Sequence, residues 1–370
     1  MKRWGRLSLL SWQLAGFVAC CVGFALTKTK LQLQNSISSQ VVDIDVVIPW
    51  SGEPQADPSG TNRDDGILKY QLRSILKNMP WVNNIFIFAD PMTAPIWFQE
   101  FDSRVQLVNR CENFIGGQEN CPTFNTFAVY ANIHTIRGLS ERYIVCDDDV
   151  LILTALSPEY FFSNRHIHIL LGEQEELYRI KYDEHGYRYV TEIVDEGRQE
   201  YPRLLPRKVP LQRRSRMHAP WPCLRSQVIQ MQKEYGDWFK FISSHRLRFC
   251  FDTDALVRTE GQRGNKNGAC YRENSYFAMM WYLNEMGYVK PPLPQYVLEE
   301  DTISYEDIEA RNLANYLQSG AACLNINDSA MLQAKDIQAF QVNTSVQDSY
   351  KMRKEYVLGT LEHFFPVGSH

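Results

Sequence analysis

Two rhythms of apolar and polar positions alternate along this chain. Residues 43–50, DIDVVIPW, are a nearly unbroken β-branched run that predicts a buried strand. A loop rich in Gly, Pro and Asp follows. In ILKYQLRSILKNM, Ile67, Leu68, Leu72, Ile75 and Leu76 share one helical face, and Pro80 stops the helix. NNIFIFAD predicts a second strand, a helix is expected near Ile96–Phe101, and VQLVN predicts a third strand. FNTFAVYANIHTI reads as a helix. RYIVCDDDVLIL reads as a strand with three acids, Asp147, Asp148 and Asp149, at its end.

Strands alternating with helices imply an α/β fold, a largely parallel sheet with helices on both faces. Ligands of such sheets bind beyond the C-terminal strand ends. The segments after Val47, Phe88 and Val145 all arrive at that edge, so the acids lie where this architecture places chemistry.

Further along, residues 172–216 are charged and Tyr-rich and read as an inserted hairpin or lid. SQVIQMQKEYGDWFKFI is expected to be one helix, ENSYFAMMWYLNEMG a core helix, and Tyr305–Gln318 another. The remainder reads as a less regular tail. The domain plan is a tail and anchor over 1–30, a stem over 31–42, a catalytic domain over 43–330 and an extension over 331–370.

Composition changes this picture mainly at the N-terminus. The 370 residues are 44% hydrophobic and 22% charged with net charge −4, an ordinary globular balance that gives no reason to expect a nucleic-acid partner. Lys2, Arg3 and Arg6 precede an uncharged run from Leu7 to Leu26, long enough to span a bilayer as a helix. A membrane-anchored, single-pass type II protein of the Golgi is expected; secretion through a cleaved signal peptide is the alternative. Either way residues 31 onward lie outside the cytosol. Cys111 and Cys121 flank one loop and Cys250 and Cys270 another, and both pairs are plausible disulfides in that compartment. Asn327 and Asn343 open N-glycosylation triplets.

Acids at a strand end offer hard oxygen ligands to Mg²⁺ or Mn²⁺. Such a metal neutralises a diphosphate and improves it as a leaving group. Asp147 and Asp149 fit the Asp-x-Asp pattern of metal-dependent glycosyltransferases. A solvated loop, or acids capping the next helix, is the plainer alternative.

The stretch from Asn62 to Asp90, followed by residues 121–153, resembles the second conserved region of the Stealth family. These are sugar-1-phosphate transferases of bacterial capsules, with the GlcNAc-1-phosphotransferase catalytic subunit among them. The anchors are Asp65-Gly66, Leu72-Arg73-Ser74-Ile75, Pro80-Trp81-Val82, Pro122-Thr123-Phe124-Asn125, Gly138-Leu139-Ser140-Glu141 and Asp148-Asp149. Weaker likenesses follow the family's order. DIDVVIPW resembles its first region, HAPWPCLRSQVI with SSHRLR its third, and CLNIND its fourth.

The resemblance implies a Rossmann-like, glycosyltransferase-A-like mixed sheet. It also implies a nucleotide-sugar donor of UDP-GlcNAc or GDP-mannose type, and a glycan or glycoprotein acceptor. Asp148, Asp149, His218 and Arg248 would be catalytic. Arg63, Asp65, Arg73, Asn125, Tyr130 and Asn325 would bind substrate, and Asp147, Asp149 and Asp328 would hold the metal. Asp148 or Asp149 would take the acceptor proton, helped by mutual repulsion among the acids. An Arg fork suits a phosphate, and His218 suits acid–base work.

Departures from the family pattern bear on that chemistry. Its usual Trp-Val-Asp-Gly is here Trp50-Ser51-Gly52, and its Ala-Ile-Glu is Ala128-Val129-Tyr130. Its Asn-Asp-Asp reads Asp147-Asp148-Asp149, and its Leu-Asn-Asp reads Leu324-Asn325-Ile326. Three activities are therefore compared: sugar-phosphate transfer, sugar transfer without phosphate, and glycan binding by an inactive relative.

Overall fold

The structure is a computed structural model. It describes residues 42–50, 65–89, 97, 101–121, 123, 125–168, 219–244, 279, 282–283, 286–290, 300–326 and 343–367. The chain opens with β1 (Ile44–Pro49), α1 (Ile67–Asn78), β2 (Ile85–Ala89) and β3 (Val105–Asn109). It continues through α2 (Thr126–Asn132), β4 (Arg142–Val145), β5 (Val150–Ile152), α3 (Pro158–Phe161), β6 (Phe162–Ser163), β7 (His166–His168) and β8 (Trp221–Leu224). Then come α4 (Arg225–Glu234), α5 (Gly236–Ser244), β9 (Val289–Lys290), β10 (Glu300–Thr302), α6 (Tyr305–Glu309), α7 (Leu313–Leu317), β11 (Cys323–Asn325) and α8 (Thr344–Phe364).

The main sheet has the order β3-β2-β1-β4-β8. β1 runs parallel to β2 and to β4, with Val47 opposite both Phe86 and Val145, and β8 closes the sheet antiparallel. A sheet that is parallel except at one edge needs both faces covered. β1 meets that need by alternation: Val46 and Ile48 enter one apolar cluster and Val47 the other. From β1 the chain steps outward through β2 to β3, then returns to the other side of β1 for β4. The direction reverses between β1 and β4, the point in an open α/β sheet where ligands bind.

The apolar run from Arg142 to Leu153 is two strands, not one. β4 stays in the main sheet, whereas β5 pairs antiparallel with β11 in a second sheet ordered β10-β11-β5. The three acids form the turn between them. A period-two pattern cannot reveal such a turn, because apolar residues continue on both sides of it.

α1 substitutes for a neighbour along the open edge of β5. Ile152 N donates to Ser74 Oγ (2.9 Å), and Asn78 Nδ2 donates to Ile152 O (2.6 Å). Gln71, Ser74 and Asn78 fall on one helical face at spacings of three and four, all buried. The helix ends before Pro80, as its pattern predicts.

Three expectations about helices are corrected. The helix expected near residues 226–242 divides into α4 and α5, because Tyr235 leaves helical dihedrals (φ −126°, ψ 38°). The helix expected at Tyr305–Gln318 divides into α6 and α7, with Arg311 left-handed at φ 58°. The irregular tail contains the 21-residue α8, whose Tyr350, Val357 and Leu361 pack with Ile67, Leu151 and Leu324 in a third cluster. Gly66, at φ 81°, precedes α1, and a Cβ there would meet the Leu358 side chain at 3.3 Å, so glycine lets α8 approach.

Cys111 and Cys121 are bonded, as the loop between them suggests; Cys250 and Cys270 lie outside the described residues. No described helix is long and apolar enough to cross a membrane, and residues 7–26 are not among those described.

Candidate active site

β4 delivers the acid turn to the switch point. Cys146 N donates to Val47 O (3.0 Å), extending the β1–β4 ladder one residue past the strand, and Asp147 follows. Groups from three other elements then fix the turn. Gln71 Nε2, on α1, donates to Asp147 O (2.5 Å). The Tyr130 hydroxyl, on α2, donates to Asp147 Oδ1. Asn325 Nδ2, at the end of β11, donates to Asp149 Oδ1 (2.9 Å), and Ile326 N donates to Asp149 O (2.9 Å).

Each holding group is itself placed by packing. Tyr130 is buried, with its ring 6.5 Å from that of Trp221 on β8, directly across from Val145. Asn325 is fully buried in β11. Asn125 starts the helix that carries Tyr130: its side chain accepts from Phe127 N (3.1 Å), a role its residue type favours at an N-cap. Gln71 is fully buried, and its Oε1 has no hydrogen-bond partner among the described residues.

The structure thus gathers Asp147, Asp148, Asp149, Tyr130 and Asn325. Asp65 is buried beside the start of α1. Arg73 is placed elsewhere, on a different face of α1 from Gln71. Its Nη1 donates to Glu362 Oε2 (3.0 Å) and Phe365 O (2.7 Å), so this guanidinium anchors α8. Burial raises the Glu362 carboxyl, but hydrogen bonds from Tyr70 and Arg73 outweigh it and hold the group below the usual range. Tyr70 is pushed up to about 12 by burial and by Glu362. Trp50 is buried in the core, as a packing residue would be. Arg63, His218, Arg248 and Asp328 lie outside the described residues.

Sequence reasoning passed over Gln71 and Trp221. Gln71 carried a signal: a polar residue three before Ser74 and seven before Asn78, beside an apolar stripe. Two residues of the Gly138–Glu141 stretch prove to be architectural. Ser140 N donates to Asp45 Oδ2 (2.7 Å), and Glu141 accepts from Ser226 Oγ (2.6 Å) and from Ser226 N, tying the turn before β4 to β1 and α4.

The donor set is one of hard oxygens, suited to Mg²⁺ or Mn²⁺. Among the described residues no three His, Cys, Asp or Glu side chains converge to form a closed cage.

Comparison with known proteins places these residues. Residues 61–169 match the family model for Stealth protein CR2, conserved region 2. An exopolysaccharide phosphotransferase of Nocardia farcinica is 30% identical over 185 residues, 50% of this chain and 35% of that protein. A capsular polysaccharide phosphotransferase of Haemophilus influenzae is 29% identical over 151 residues, 35% of this chain and 41% of that protein. The mouse (Mus musculus) N-acetylglucosamine-1-phosphotransferase subunits alpha/beta are 36% identical over 101 residues, 27% of this chain and 8% of that protein. The chain therefore spans well under two thirds of these relatives. Among solved structures, galactosyltransferase LgtC aligns at 10% identity with a TM-score of 0.41, over 83% of this chain and 95% of that one. The segment that holds Gln71, Tyr130 and the three acids is the one that matches the family model for Stealth conserved region 2.

Proposed function

We propose that this chain transfers a sugar 1-phosphate from a nucleotide sugar to a hydroxyl of a glycan acceptor. The observation that carries the reading is the acid turn itself. It sits at the switch point of an α/β sheet, Asp147 and Asp149 are each gripped by a side chain from another element, and the turn lies within the segment like Stealth conserved region 2. Relatives named for polysaccharide and N-acetylglucosamine-1-phosphate transfer support the same reaction class.

In this reaction the acceptor hydroxyl attacks the phosphorus next to the donor sugar, and a nucleoside monophosphate leaves. Catalysis then rests on alignment and on balancing phosphoryl charge. Asp148 or Asp149 accepts the hydroxyl proton as the oxygen attacks. Asn325 holds Asp149 with one oxygen turned toward its amide, which fixes the carboxylate's orientation. When bound, Mg²⁺ or Mn²⁺ would neutralise the diphosphate; Asp147 and Asp149 would hold it, with Asp328 as a further candidate. Arg248 and Arg63 are the proposed phosphate partners and His218 the further acid–base group. Asp65 and Asn125 keep their proposed places beside the substrate.

The donor is of UDP-GlcNAc or GDP-mannose type. The proposed location is the Golgi membrane, with residues 7–26 as a signal anchor and the acids in the lumen.

The nucleotide released decides the reaction class. The chain from residue 31 onward, incubated with UDP-GlcNAc or GDP-mannose, Mn²⁺ and glycan acceptors, is expected to release UMP or GMP by mass spectrometry. Release of UDP or GDP would instead assign sugar transfer without phosphate.

A further inference from the structure

Of the two N-glycosylation triplets in this chain, one falls on described residues. Asn343-Thr344-Ser345 opens α8, and all three residues are exposed. The buried face of α8 begins about two turns further on, at Tyr350. The helix is anchored to α1 at its opposite end, where Arg73 bonds Glu362 and Phe365 O.

Asn343 divides the work of its amide. Its Oδ1 accepts from Ser345 N (3.0 Å) and from Ser345 Oγ (2.8 Å), and so caps the helix. No hydrogen bond among the described residues uses its Nδ2. The fold occupies the oxygen and leaves the nitrogen, the atom at which an N-linked sugar is joined.

We propose that Asn343 is a modification site, carrying an N-linked glycan transferred from a lipid-linked oligosaccharide diphosphate in the lumen. This rests on the luminal placement given above, and not on the reaction at the acid turn. In the transfer an Nδ2–C1 bond forms to the first sugar, the C1–O bond to the diphosphate breaks, and the amide gives up one proton as the lipid diphosphate leaves.

Three observations support the site. The triplet has its hydroxyl at Ser345 and no proline between. The product amide keeps Oδ1, so Ser345 keeps its acceptor and α8 keeps its cap. The exposed first turn of α8 gives a bulky, solvated group room that a buried asparagine would deny it. The second triplet is placed differently. Asn327 lies outside the described residues, but Ile326 just before it is buried, and its N donates to Asp149 O. A glycan at Asn327 would stand beside the acid turn, so the modification is assigned to Asn343 alone.

The full chain is synthesised with rough microsomes and its gel mobility compared before and after peptide N-glycosidase F. Wild type and Asn327→Gln are each expected to shift by the mass of one glycan. Asn343→Asp and Ser345→Ala are expected not to shift. Asp matches Asn as an N-cap, so a lost glycan in Asn343→Asp cannot be laid to a lost cap. Ser345→Thr keeps the hydroxyl and is expected to keep the glycan. Protease added to intact microsomes reports the side of the membrane independently of any glycan.

A protected chain without a glycan, or with one at Asn327 and none at Asn343, overturns the assignment and leaves the luminal placement standing. A second glycan, removed by Asn327→Gln, overturns the restriction to Asn343. A chain digested from outside overturns the luminal placement and the glycan with it.

Discussion

Asn325 Nδ2 donates to Asp149 Oδ1 across 2.9 Å, joining residues 176 apart in sequence. The bond ties the acid turn to the second sheet, where Ile326 N also holds Asp149 O. Both ends of the acid turn are thus clamped, Asp147 by α1 and α2 and Asp149 by β11 and the residue after it.

Asn325→Ala removes a fully buried amide that positions Asp149. It is expected to destabilise the chain by about 1–3 kcal/mol. Turnover, measured well below the unfolding midpoint, should fall at least about tenfold with KM for the donor nearly unchanged. Asn325→Asp should be worse on both counts, since it sets two carboxylates face to face.

Arg73 offers a test of the opposite kind. Its buried guanidinium bonds Glu362 and Phe365 O and lies 5.3 Å from the Tyr70 ring centre. Arg73→Ala is expected to cost about 2–4 kcal/mol in urea unfolding, with KM for the nucleotide sugar unaltered. A large rise in KM with stability intact would instead mark Arg73 as a phosphate ligand.

His134 predicts how stability depends on pH. Burial pulls its pKa from 6.5 to about 4, against a hydrogen bond with Gln232 that raises it. The unfolded chain therefore takes up a proton from about pH 6.5 downward that the folded chain refuses until about pH 4. Stability should fall as pH drops through that window and flatten below it, by about 3 kcal/mol in all. Chemical denaturation of wild type and His134→Gln at pH 7, 5.5 and 4.5 checks this, since the variant should lose that part of the slope.

The Cys111–Cys121 bond closes a short loop, with a sequence separation of 10. Its removal as Cys111→Ser/Cys121→Ser should cost roughly 2–3 kcal/mol by the chain-entropy account. Calorimetry should show a lowered midpoint with the acid site still active.

Much of the main sheet was legible because its signals are local. The run DIDVVIPW, the apolar stripe from Ile67 to Leu76 and the strand-end position of the acids are each readable within a dozen residues. What escaped depends on partners far away. Nothing near Arg73 announces Glu362, and nothing near Asp147 announces Gln71. The division of the 142–153 run into strands of two sheets is hidden by apolar residues on both sides of the turn. α8 was missed because Asp348, Lys351, Lys354 and Glu355 interrupt its apolar positions. Only the spacing of Tyr350, Val357 and Leu361, at seven and four, betrays a buried face.

The acid turn carries the account, and one comparison tests it most directly. Release of nucleoside monophosphate by wild type should be set against Asp148→Asn/Asp149→Asn, with unfolding curves showing that both are folded. A loss of at least about a thousandfold is the expected result. A folded double variant that turns over within a few-fold of wild type would contradict the assignment of this turn as the reacting centre.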